Sequence, residues 1–199
     1  MYSKISRKIT SLLIDIGVID NKSFEIYEYG FEVILAFAFS TLIIIVFSFM
    51  LNRFSETLLY LIGFFSVRAV CGGYHAKHHY SCFGITISTY FLFLFFQHYF
   101  SVKTYLNQVV FFTIIVSFII ILVFSPIEHP NNPMTEYRKK RSRFYSVVLS
   151  FVLCVVLGIS LLNNRILTVI CSYALGTFWA SLAILAARIN LIILRRKER

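Results

Sequence analysis

The stretch Arg68-Ala69-Val70-Cys71-Gly72-Gly73-Tyr74-His75-Ala76-Lys77-His78-His79-Tyr80-Ser81-Cys82 gathers a thiol, several imidazoles, a guanidinium and a flexible backbone. A cysteine attacks as its thiolate, and a free thiol titrates about 1.5 units above neutrality, so it needs a base. A histidine within hydrogen-bond reach can take that proton and return it to a leaving amine. His75 and Cys82 are seven residues apart. On one continuous helix they would share a face yet stand about 10 Å apart along the axis. Contact between them therefore requires a break, or a loop that carries His75 back toward Cys82. Gly72 and Gly73 permit such a return, and their N–H groups could serve a developing oxyanion.

The same residues allow blander readings. A cysteine and a histidine close together in a membrane loop are usually inert. His75, His78, His79 and Cys82 could supply nitrogen and sulfur to zinc. However, neither an HExxH pattern nor a second cysteine pair accompanies them, and adjacent His78 and His79 would diverge on a helix. No metal and no cofactor is expected. Arg68 can snorkel from the end of a membrane helix, or lower the pKa of a nearby thiol. No Asp or Glu lies near His75 in sequence. Glu32 could orient it by depth, or could be a solvated helix-end carboxylate.

Apolar blocks must position this segment. Hydrophobic residues make up 58% of the 199-residue chain, against about 45–50% in a soluble domain. A membrane-spanning helix needs about 20 mostly apolar residues. Such blocks occur at 31–51, 57–70, 83–100, 109–124, 144–162 and 166–187. The alternation of barrel strands is absent. The expected fold is all-α, a polytopic membrane protein with six transmembrane helices. Ahead of them Ile5, Ile9, Leu12, Leu13 and Ile16 recur at helical spacing, with Lys4, Arg7, Lys8 and Ser11 between. That pattern predicts an amphipathic interfacial helix, ended by Gly17 and Asp20-Asn21. Its apolar run is too short and interrupted for a signal peptide. The chain reads as one integral membrane domain over 1–199, with the interfacial helix in 1–24 and six spans in 25–199. Cys71, Cys82, Cys154 and Cys171 show no disulfide framework, and most are expected to be buried thiols.

Charge sets the orientation. Nineteen Lys and Arg against nine Asp and Glu give a net charge of +10. In a membrane protein that surplus marks cytoplasmic loops and anionic lipid rather than nucleic acid. With the N-terminus inside, sixteen basic residues fall on the cytoplasmic side and three, Arg53, Lys103 and Arg165, outside. Six spans with both ends inside fit this bias. All three prolines lie in 125–133, a cytoplasmic loop followed by the run Arg138, Lys139, Lys140, Arg141 and Arg143.

The Arg68–Cys82 stretch, with its Gly72-Gly73-Tyr74-His75-Ala76 core and a cysteine seven beyond the histidine, resembles the AgrB family (accessory gene regulator protein B). Length, span number, the basic Pro-containing loop and charge agree along the whole chain. The resemblance implies a bacterial cell-membrane cysteine endopeptidase, with its site facing the cytoplasm, that processes quorum-sensing precursor peptides. It places a catalytic dyad on His75 and Cys82 and supporting roles on Arg68 and Gly73, with Gly72 beside them. It implies that the cysteine cleaves before the precursor's acidic C-terminal tail, after which the precursor's own Cys or Ser closes a thiolactone or lactone. It also implies a precursor with an amphipathic N-terminus, and a homodimer. Lys77 and the Arg138–Arg143 run would draw in the acidic tail. Two rival readings are an exporter of an anionic peptide and a non-catalytic sensor partner. The span interiors carry few ionisable groups, His98 near one end excepted, and no P-loop is present.

Overall fold

A computed structural model describes residues 2–71, 79–100, 106–127, 135–162 and 167–197. The regular elements among them are all helices: α1 Tyr2–Asp15, α2 Phe24–Met50, α3 Phe54–Cys71, α4 His79–Phe100, α5 Leu106–Phe124, α6 Glu136–Leu162 and α7 Leu167–Lys197. A single 3-10 turn, Asn21–Ser23, precedes α2. Four of these, α2, α3, α5 and α7, carry stretches long and apolar enough to cross a membrane. The chain is a multi-pass membrane protein. The apolar blocks at 83–100 and 144–162 fall on α4 and α6.

Every apolar block coincides with a helix, but the helices overrun the blocks. The basic run expected just after a loop is itself helical, because α6 starts at Glu136. Hydropathy registers only the apolar part of a helix, whereas Lys and Arg are good helix formers that continue it into water. The same reason carries α7 on to Lys197.

The chain divides into two compact units. The first contains α1, α2 and the opening of α4, residues 79–88. Helix α1 ends in a Schellman motif: Val18 N donates to Leu13 O (3.0 Å), Gly17 N donates to Ile14 O (2.8 Å), and Gly17 takes φ +74°. Its Ser6 and Thr10 are buried while Ile5, Leu12 and Ile16 stay exposed. The hydroxyl of Thr10 donates to Ser6 O within the helix (2.9 Å), so no polar atom is orphaned. Arg7 reaches Glu28 of α2 at 3.1 Å. In α2 a stripe of Ala36, Ser40, Ile44 and Ser48 is buried, while Phe37, Phe39, Phe47 and Phe49 are exposed. The ring of Phe83, in the second turn of α4, packs 6.1 Å from that of Phe39. The opening of α4 therefore lies beside the middle of α2.

The second unit contains α3, the rest of α4, α5, α6 and α7. Its centre is a close seam between α3 and α7. A Cβ added at Gly63 would collide with the carbonyl oxygen of Tyr173, and one added at Gly176 with that of Tyr60. Each glycine thus admits the other helix's backbone, the small-residue packing by which membrane helices associate without a hydrophobic drive. Beside the seam, Tyr60, Phe64, Tyr90 and Phe93 form a buried aromatic cluster. Thr57 bonds the Tyr90 hydroxyl at 3.0 Å, and the Tyr60 hydroxyl donates to Thr89 at 3.3 Å. At the far end of α4, Gln97 Nε2 donates to Ser172 of α7 at 3.1 Å.

Candidate functional site

Helix α3 delivers the chain to the reactive segment. Its Arg68 is half-exposed on the last turn, and Cys71 is its last residue. The last four carbonyls of a helix lack partners inside it. Here two of them find partners from distant elements. Ser142 Oγ of α6 donates to Val70 O at 2.5 Å, and Ile127 N, just past α5, donates to Cys71 O at 3.1 Å.

A polar cluster surrounds this helix end. The Ser125 and Ser146 hydroxyls bond each other at 2.6 Å, and Cys71 Sγ lies 3.7 Å from Ser146 Oγ. Arg143 Nη1 donates to Ser125 O at 2.6 Å. Ser146 and Ser150 return their hydroxyls to Ser142 O and Ser146 O on their own helix, at 2.9 and 2.8 Å. Cys71 and Ser146 are both 0% exposed, so this thiol is sealed from solvent and from any peptide. The family resemblance placed the nucleophile on Cys82 rather than Cys71, and Cys71 is buried. The serine ladder was missed, although its spacing of four, Ser142-Ser146-Ser150, was there to be read.

The other expected reactive residues follow Cys71 in the chain. Gly72, Gly73, His75 and Lys77 lie outside the described residues, as does His78. Cys82 occupies the fourth position of α4, counted from His79. The first turn of a helix favours negative charge, through its unpaired N–H groups and the helix dipole. Glu32 is half-buried in α2. The remaining cysteines are placed differently: Cys171 is buried in α7 and Cys154 is exposed within α6.

The basic run splits by role. Arg138, Lys140, Arg141 and Arg143 are exposed and Lys139 is half-exposed. Arg141 lies over the ring of Tyr145, 5.5 Å from its centroid, a cation–π contact that leaves the charge in water. Arg143 differs, because it is tied to Ser125 O. A cavity of about 380 Å³ in the second unit is lined by Phe96, Phe112, Leu175, Phe178 and Trp179 among others. Its polar lining is Gln108 and Thr113, and no cysteine or histidine lines it.

A model of the family described as accessory gene regulator B matches residues 6–189. No curated protein and no solved structure shows significant similarity to the chain. The family match runs through the helices, the Arg68–Cys82 stretch and the basic start of α6 alike, and the chain therefore belongs to the accessory gene regulator B family, membrane proteins of quorum-sensing peptide processing.

Proposed function

We propose that the protein is a membrane cysteine endopeptidase that removes the acidic C-terminal tail of a quorum-sensing precursor peptide, with Cys82 as nucleophile and His75 as base. The observation that carries this reading is the family match across both residues, joined to the placement of the other thiols. Cys71 and Cys171 are buried and Cys154 sits well inside α6, whereas Cys82 lies on the first turn of α4.

His75 takes the Cys82 proton as the sulfur attacks the scissile carbonyl. The carbon–nitrogen bond breaks, His75 returns the proton to the departing amine, and the tail leaves. The precursor's body stays on Cys82 as an acyl-thioester. A thiol or hydroxyl of the precursor then attacks that carbonyl, giving its proton to His75, and Cys82 is released as the ring closes. A thioester and a thiolactone are close in energy, so the second step requires exclusion of water more than driving force. The contact of Phe83 with the middle of α2 supports such exclusion, since Phe39 stands eight residues, about 12 Å, inside the apolar block. Gly72 and Gly73 offer N–H groups to the oxyanion, Arg68 adds positive charge, and Lys77 with Arg138, Lys140 and Arg141 of α6 receives the tail.

This reading includes six spans, α4 and α6 completing the set, with α1 on the membrane surface, the site facing the cytoplasm and the protein acting as a homodimer. The meeting of the ends of α3 and α5 with the start of α6 supports it. Alternating passage from a cytoplasmic N-terminus brings those three ends to the cytoplasmic face.

Co-expression with an acidic-tailed precursor tests the proposal. Tail release is expected from the wild type and is lost in Cys82→Ala and His75→Ala, with membrane insertion unchanged. Tail release by Cys82→Ala would leave the exporter or sensor readings standing instead.

A further inference from the structure

We infer that Ser142 and Arg143 of α6 are positioning residues for the proposed site, acting through the end of α3 rather than on the substrate. This rests on the reading that His75 and Cys82 form the dyad.

His75 is attached to the end of α3. It follows Cys71 by only four residues, so the end of α3 fixes where that short tether begins. The position of His75 depends on how firmly that end is held. Helix ends are the frayed part of a helix, because their last carbonyls have no internal partners. In α3 the last two carbonyls are taken by Ser142 Oγ and Ile127 N. The segment holding Ile127 is itself tied to α6, by Arg143 to Ser125 O and by Ser125 Oγ to Ser146 Oγ. One short stretch of α6 therefore holds α3 twice, directly and through the chain that leaves α5. The cluster is buried at Cys71, Ser125, Ile127 and Ser146, where a hydrogen bond lost is not replaced by water.

Consequently the basic run contains two kinds of residue. Arg138, Lys140 and Arg141 are exposed, and their loss should change how well the precursor binds. Ser142 and Arg143 bond the scaffold, and their loss should change how well the bound precursor reacts. A small misplacement of a catalytic group can cost orders of magnitude in rate while binding is kept.

The test uses the full chain in lipid nanodiscs, with two readouts. One is steady-state tail release. The other is the rate at which iodoacetamide alkylates Cys82 without precursor, followed by peptide mass spectrometry. Ser142→Ala should lower kcat about tenfold with KM within about twofold, the pattern of an interaction that matters after binding. It should also slow Cys82 alkylation in the direction that His75→Ala does. Ser142→Thr keeps the hydroxyl and should restore both. Arg143→Gln should reproduce the kcat loss if Ser142→Ala fails to assemble. If His75→Ala slows alkylation but neither Ser142→Ala nor Arg143→Gln alters kcat or alkylation, the positioning role is wrong and the dyad stands. A rise in KM alone for Arg143→Gln also overturns it, returning Arg143 to the tail-binding cations. If His75→Ala leaves alkylation unchanged, the dyad falls and the inference falls with it.

Discussion

Two cysteines bound the reactive segment, and their surroundings differ. Cys71 closes α3, is fully buried, and touches a hydroxyl cluster drawn from α6 and the chain leaving α5. Cys82 opens α4, a helix whose first residues belong to the other compact unit and pack beside the middle of α2. One end of the segment is anchored by polar bonds to distant elements. The other end starts a new helix, where backbone N–H groups are unpaired and negative charge is favoured. A thiol at an anchored, sealed end serves packing, whereas one at a helix start can serve chemistry. The two residue types are identical, so what tells them apart is where each sits: Cys71 at the bonded end of α3 and Cys82 on the first turn of α4.

The sharpest way to break this comparison is to exchange the roles. Cys71→Ala should retain most tail release, while Cys82→Ala should reduce it to background, a loss of many powers of ten. Activity lost in Cys71→Ala, with normal insertion, would mean that the anchored cysteine had been misjudged.

A second contrast concerns the helices on which the two cysteines sit. Gly63 of α3 has a Tyr173 carbonyl where a Cβ would go, while at Gly84 of α4 an added Cβ meets open space. Gly63→Ala should therefore part α3 from α7 and cost about 1–3 kcal/mol, as overpacked cores do. The expected readout is a clear fall in thermal stability in detergent. Gly84→Ala should leave stability unchanged or slightly raised, since alanine is the better helix former by up to about 1 kcal/mol. Equal losses at the two positions would contradict the tight α3–α7 seam.

The smallest effect is expected on the cations. Neutralising Arg138, Lys140 and Arg141 together should raise KM several-fold with kcat nearly kept, the signature of lost uniform binding. Raising ionic strength should mimic it, because exposed charges are screened within about 8 Å at physiological salt. Topology is measured on the same variant. If neutralisation instead inverts α6 and α7, the cations act only through the positive-inside rule. Correct insertion with unchanged KM would remove them from the substrate's path.

How much of this was legible beforehand depends on what each pattern encodes. The apolar blocks located α2 to α7, because helices of this length and hydropathy show as continuous apolar runs. Helix ends were less legible: Glu136 to Arg143 is polar, and hydropathy says nothing about polar residues that remain helical. The amphipathic spacing of Ile5, Leu12 and Ile16 was visible in sequence, and all three are exposed. The opposite contact was not visible, since buried Ser6 and Thr10 look like surface residues in sequence. The same holds for Ser146 and Ser150. Small hydroxyl residues satisfy themselves on their own helix and so carry no outward sign of burial. Gly63 and Gly176 are 113 residues apart, and only the folded chain shows that each accommodates the other's helix. The dyad residues were singled out by type and by their likeness to a family, and the family match covers both.

The central claim is that Cys82 carries the precursor as an acyl-thioester, and it can be tested by trapping that species. A precursor whose ring-forming Cys or Ser is replaced by Ala can be cleaved but cannot close its ring. Mixed with the nanodisc-embedded wild type and quenched in acid, it should leave its tail-less body on the peptide containing Cys82. That adduct should be released by hydroxylamine and be missing from His75→Ala. Tail release without any adduct on Cys82, or an adduct on Cys71, Cys154 or Cys171, would contradict the account.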